Sequence, residues 1–85
     1  MISCRYVIST NHGLHAANAM SLSRAASDYQ CQITLESAQG VADCKNVLSL
    51  MSLGAKQGES LILTADGPDE KLAMGYLSGI LRTIL

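Results

Sequence analysis

The spacing of apolar and polar side chains divides the chain into seven elements. From Ile2 to Ser9 the pattern alternates around Cys4, Tyr6 and Ile8, the period-two signature of a half-buried strand. Leu14, Ala19, Met20, Leu22, Ala25 and Ala26 then recur at helical spacing, with Ser21, Ser23, Arg24, Ser27 and Asp28 on the other side. This predicts an amphipathic helix from about Ala16 to Asp28. Gln32 to Ser37 sets Ile33 and Leu35 against Thr34 and Glu36, a second half-buried strand, and Gln39-Gly40 turns it back into a short third strand over Val41 to Cys44.

A short second helix is predicted over Asn46 to Leu53, stopped by Gly54. It carries more apolar residues than one face can bury. Leu50 and Leu53 are assigned to the core and Val47, Leu48 and Met51 to the outside, where adaptable apolar side chains would make a docking surface; a helix buried on two sides is the other reading. Glu59 to Ala65 contains the nearly continuous run Leu61-Ile62-Leu63-Thr64, typical of a central strand. Gly67-Pro68 ends it, placing Asp66 or Gly67 near the cap of a last helix and Pro68 in its first turn, with Asp69 and Glu70 at the positive end and Arg82 at the negative end. Leu72, Ala73, Tyr76, Leu77, Ile80, Leu81 and Ile84 form the predicted buried stripe of that helix.

The order strand, helix, strand, strand, helix, strand, helix predicts an α+β open-faced sandwich, a four-stranded antiparallel sheet with three helices on one face. No repeat or linker interrupts it, and residues 1–85 read as a single domain. With no Trp or Phe, its core is aliphatic.

A net charge of -1 leaves no basic surplus to replace counterions, which argues against nucleic acid as a partner. No apolar run approaches the roughly 18 residues of a membrane span, and the first residues lack the basic-then-apolar order of a secretion signal, so a cytoplasmic location is expected. Cys4, Cys31 and Cys44 are odd in number and share no C-x-x-C spacing, which predicts free, mostly buried thiols. Zinc held by His12, His15 and a cysteine is the alternative, with no fourth ligand suggested by spacing.

The stretch with most chemical content is Asn11-His12-Gly13-Leu14-His15-Ala16-Ala17-Asn18-Ala19-Met20, a glycine turn leading into the first helix. His15 is expected at or beside the N-cap. The first amide N–H groups of a helix lack carbonyl partners and, with the macrodipole, favour an anion and a neutral imidazole. Nucleophile and anion cradle would then share one geometry, with the amides of Ala16 and Ala17 as donors. A histidine in this position also serves as an ordinary cap or surface residue.

Gly13-Leu14-His15-Ala16 followed by Ala19 resembles the active-site signature of the HPr family, the histidine-containing phosphocarriers of the bacterial phosphoenolpyruvate:sugar phosphotransferase system. Lys45-Asn46-Val47-Leu48-Ser49-Leu50-Met51-Ser52-Leu53-Gly54-Ala55 resembles the family's second-helix block at the same offset, and Gly58, the Gly67-Pro68-Asp69-Glu70 turn and the chain length also fit. The resemblance implies the same open-faced sandwich. It implies that His15 accepts a phosphoryl group from Enzyme I at Nδ1 and passes it to a sugar-specific EIIA-type acceptor, without metal or organic cofactor. It also implies a docking face on the first two helices; Met20, Arg24, Val47, Leu48 and Met51 are the candidate partner-binding residues. A monomer is expected.

The chain departs from the family where arginine and then proline usually follow the small residue after the histidine: here stand Ala17 and Asn18. A guanidinium would stabilise the charge on the moving phosphoryl group, so its loss should slow transfer or alter partner choice. His12, where the family tends to carry Asn or Ser, is a candidate assistant that would return some positive charge; an exposed turn residue is the plainer reading. Arg24 would have to reach back two turns. Asn46 stands where many Gram-positive members carry a regulatory serine, so kinase control at that position is not supported. The alternative function is an HPr-like regulatory adaptor that binds partners with weak or no phosphotransfer.

Overall fold

The computed structural model describes all residues 1–85 and contains β1 (Ile2–Val7), α1 (Ala16–Ala26), β2 (Gln32–Ser37), β3 (Gly40–Asp43), α2 (Val47–Ser52), β4 (Ser60–Asp66) and α3 (Glu70–Ile84). The strands form one antiparallel sheet in the order β1-β4-β2-β3. β4 is therefore flanked on both sides, pairing Cys4 with Leu63 across β1 and Leu35 with Leu63 across β2. Ile33 and Leu35 of β2 and Leu61, Leu63 and Ala65 of β4 point the same way and are fully buried under the helices. This is the α+β open-faced sandwich expected from the pattern.

The central place of β4 does not bury both its faces. Ile62 is exposed on the uncovered side, because three helices cover only one face of the sheet. The apolar run Leu61-Ile62-Leu63 reflects β propensity and pairing on two edges rather than burial on two faces.

Three helical details differ from the periodicity. α1 ends at Ala26, where Ser27 caps it by donating its N–H to the Ser23 carbonyl at 3.0 Å. Its buried arc includes Ser23 and excludes Met20, since α1 is flanked by α2 on one side and α3 on the other and its covered sector follows those neighbours. Along α3, the residues facing the core are Ala73, Met74, Leu77 and Leu81, with Ile80 and Ile84 half-buried. Leu72 and Tyr76 lie on the surface, Tyr76 leaning on Tyr29 with ring centroids 6.5 Å apart.

The cap of α3 is Asp69, not Asp66 or Gly67, and Pro68 lies outside the helix. The Asp69 carboxylate makes no bond to its own helix. It accepts instead the N–H groups of Gln30 at 2.8 Å and Cys31 at 2.9 Å, fastening the start of β2 to the start of α3. The Gln30 bond, with those from Cys31, holds its pKa below the ordinary carboxylate value.

Candidate phosphoryl-transfer site

The segment between β1 and α1 carries the candidate site, and backbone bonds tie both its ends. Ile8 exchanges bonds with the turn before β4, donating to Glu59 O at 3.0 Å and accepting from Gly58 N at 2.9 Å. Ser9 and Thr10 both donate to the Leu85 carbonyl at 3.0 Å. At the far end, Leu14 is buried and donates its N–H to Ala55 O at 3.0 Å, which fixes the turn against the segment leaving α2.

Gly13 makes that approach possible. Its φ of +62° lies in the left-handed region, and a Cβ there would stand 2.4 Å from the Ala55 carbonyl oxygen. No other residue fits without moving one backbone or the other.

His15 is the N-cap of α1, with an exposed ring and extended backbone at φ -132°, ψ -180°. Its Nδ1 accepts the Ala17 N–H at 3.3 Å, so the lone pair of this nitrogen faces the first turn of the helix. The Ala16 N–H has no partner within the chain. A ring nitrogen with its lone pair and one uncommitted amide donor, that of Ala16, therefore share the first turn.

Asn18, read from the sequence only as the loss of a proline, is a residue of this turn that the spacing could have revealed. It sits three positions after the cap, is 5% exposed, and its side chain reaches back to the His15 N–H. The reciprocal arrangement of cap and third residue is a local signal.

The other candidates are distributed unevenly. The His12 ring stands edge-on to the His15 ring, centroids 6.1 Å apart, and is exposed. Arg24 does not reach back to His15. It lines a cleft of 730 Å³ between α1 and α3 with Ser21, Asp28 and Tyr76. Helices α1 and α2 are in contact, and Met20 on the first and Leu48 and Met51 on the second are exposed, Leu48 at 77%. Val47 differs from its assignment to the outside: it is half-buried against the core, whereas Leu50 and Leu53 are buried as assigned. Asn46 caps α2 by accepting the Ser49 N–H at 3.1 Å.

The three cysteines are free, Cys31 and Cys44 buried and Cys4 half-buried. Burial raises all three thiol pKa values, that of Cys44 to about 12, which leaves them protonated and poor nucleophiles or metal ligands. No three His, Cys, Asp or Glu side chains converge, so the zinc alternative does not find its ligands.

A family model described as "PTS HPr component phosphorylation site" matches residues 2–83. The chain belongs to the HPr family. Its curated relatives include the phosphocarrier protein HPr of Mycoplasma pneumoniae, 30% identical over 83 residues that make up 96% of this chain and 94% of that protein. HPr of Mycoplasma genitalium is 33% identical over 77 residues, 89% of this chain and 88% of the relative. Among solved structures, HPr-C-His from Thermoanaerobacter tengcongensis superposes with a TM-score of 0.90 at 31% identity, covering 98% of this chain and 93% of the other. Crh of Bacillus subtilis, described as a catabolite repression containing protein that forms a swapped dimer, superposes with a TM-score of 0.77 at 25% identity over 98% of this chain and 95% of that one. Within the HPr family this is a divergent member, with Ala17 and Asn18 in place of the usual arginine and proline.

Proposed function

We propose that this HPr family member carries a phosphoryl group on His15, taking it from Enzyme I and delivering it to an EIIA-type acceptor of the phosphotransferase system. The observation that carries this reading is the exposed His15 ring whose Nδ1 lone pair faces the first turn of α1. In the transfer the Nδ1 lone pair forms a bond to phosphorus as the bond from phosphorus to the donor breaks, and Nε2 keeps its proton. The Ala17 N–H, released from Nδ1, turns to a phosphoryl oxygen beside the free Ala16 N–H. His12, with its ring edge 6.1 Å away by centroids, adds positive charge near that group whenever it is protonated.

Partner proteins dock on α1 and α2, with Met20, Leu48 and Met51 as the apolar contacts, Val47 supporting them from beneath, and Arg24 at the border of the face. In this reading the carrier works in the cytoplasm as a monomer; no helix is long and apolar enough to cross a membrane.

Incubation with Enzyme I and phosphoenolpyruvate, followed by an acid-labile phosphate assay, tests the proposal. The wild-type chain is expected to label and His15→Ala to remain unlabelled. Equal labelling of the two proteins would refute the assignment.

A second reading, a regulatory adaptor, is favoured by Ala17 and Asn18 and by the likeness to Crh. An adaptor binds its partner without taking up phosphate, so a wild-type chain that binds Enzyme I or an acceptor yet stays unlabelled with Enzyme I and phosphoenolpyruvate would favour the adaptor.

A further inference from the structure

The side chain of Asn18 holds the peptide groups on either side of Leu14. Its Oδ1 accepts the His15 N–H at 2.8 Å and its Nδ2 donates to the Gly13 carbonyl at 2.8 Å. The partners dictate the orientation of this amide, because a peptide N–H can meet only the oxygen and a carbonyl only the NH₂ group. At 5% exposure the amide is shielded from water, so the bonds lack easy replacement. On the other side of the histidine, Ala19 donates its N–H to the His15 carbonyl at 2.8 Å. The main chain of His15 is thus held from both directions, and Asn18 supplies the N-terminal hold.

The residue also changes the donor count of the first turn. The Asn18 backbone N–H bonds to no carbonyl and faces the His15 side chain. A proline at this position would have neither the side-chain amide nor the backbone N–H. The chain has therefore lost a guanidinium at position 17 and gained a clamp and an amide donor at position 18.

We propose that Asn18 is the positioning residue of the phosphoryl site in this chain: its side-chain amide holds His15, and its backbone N–H joins those of Ala16 and Ala17 around the transferred group in place of the missing guanidinium. This rests on the reading of His15 as phosphoryl acceptor.

The test uses the full chain labelled with ¹⁵N and phosphorylated by phosphoramidate, which needs no Enzyme I. The ring nitrogen forms its bond to phosphorus as the phosphorus–nitrogen bond of the reagent breaks and ammonia leaves. On phosphorylation of the wild type, the Asn18 amide proton is expected to shift downfield by an amount comparable to that of Ala17. Asn18→Ala, which keeps the backbone N–H and loses the clamp, is expected to shorten the phosphohistidine lifetime and to lower kcat for transfer from Enzyme I by about tenfold with KM unchanged. Asn18→Pro, which loses both, should be slower still. Variant rates are read only on protein whose amide spectrum keeps its wild-type dispersion, and the wild-type shift stands without any variant. An Asn18 amide that does not move, an Asn18→Ala protein with wild-type kcat and lifetime, or an Asn18→Pro protein faster than wild type would overturn the proposal. Labelling by phosphoramidate with none by Enzyme I would sink the carrier reading alone, and the amide shift would still decide the role of Asn18.

Discussion

Replacing Gly13 by alanine tests whether the turn before His15 is as tightly determined as its geometry requires. Two costs add. The left-handed backbone at φ +62° is disfavoured for any residue with a Cβ, by about 1 kcal/mol after allowing for the reduced freedom of the unfolded chain. The new methyl group would stand 2.4 Å from the Ala55 carbonyl oxygen, so the turn must back away and lengthen the Leu14 N–H bond to that oxygen, now 3.0 Å, at a cost of about 1 to 2 kcal/mol. The expected total is about 2 to 3 kcal/mol, which for a domain of this size corresponds to a fall in melting temperature on the order of 10 to 20 °C. Gly54→Ala is the matched control, since Gly54 has nearly the same φ, +58°, with nothing within 4 Å of its added Cβ. It should cost only the conformational part, about 1 kcal/mol. Thermal denaturation followed by circular dichroism measures both, and phosphoryl transfer is then measured below the transition, where Gly13→Ala should be slower because His15 has moved with the turn. Equal melting temperatures for the two variants would refute the claim that contact with Ala55 constrains the site.

Two further outcomes are expected. Leu48→Ala, at a side chain 77% exposed, should leave the melting temperature within experimental error yet raise KM for Enzyme I severalfold; Leu50→Ala, fully buried two residues on, should instead destabilise by about 2 to 5 kcal/mol. An unchanged KM for Leu48→Ala would remove that residue from the docking face. The depressed pKa of Asp69 means that its contribution to stability is complete above the ordinary carboxylate pKa, near about pH 4, and is lost as pH falls through the lower folded-state value. Urea midpoints of the wild type should therefore drop on acidification below about pH 4 more steeply than those of Asp69→Ala, and parallel profiles would count against the carboxylate's two backbone bonds.

What could be read from the sequence was local. Gly13 before His15 and the helix beginning at Ala16 follow from turn and cap chemistry within a few residues, and so does Leu50 on the inner side of α2. The Asn18 amide is equally local: it bonds groups three and five residues earlier in the chain. The rotational setting of α3 was not legible, because Leu72-Ala73 and Ala73-Met74 continue equally well into apolar stripes. Contact with β1, β4 and α1 selects the stripe containing Met74, while Tyr76 finds Tyr29 at the surface. The role of Asp69 was hidden for the same reason: its partners, Gln30 and Cys31, lie nearly forty residues earlier in the chain.

The order of strands in the sheet bears on how the molecule assembles. β2 and β3 are joined by a tight hairpin and can zip together early, whereas β1 meets its only neighbour, β4, through pairs such as Ile2 with Ala65, more than sixty residues apart. Bringing such distant segments together demands a large loss of chain freedom before any ladder bond repays it. During synthesis the first strand therefore has no strand to pair with until β4, more than fifty residues further along, has emerged. The loop that carries His15 springs directly from that strand, so the near end of the loop gains its anchor only when β1 and β4 have paired.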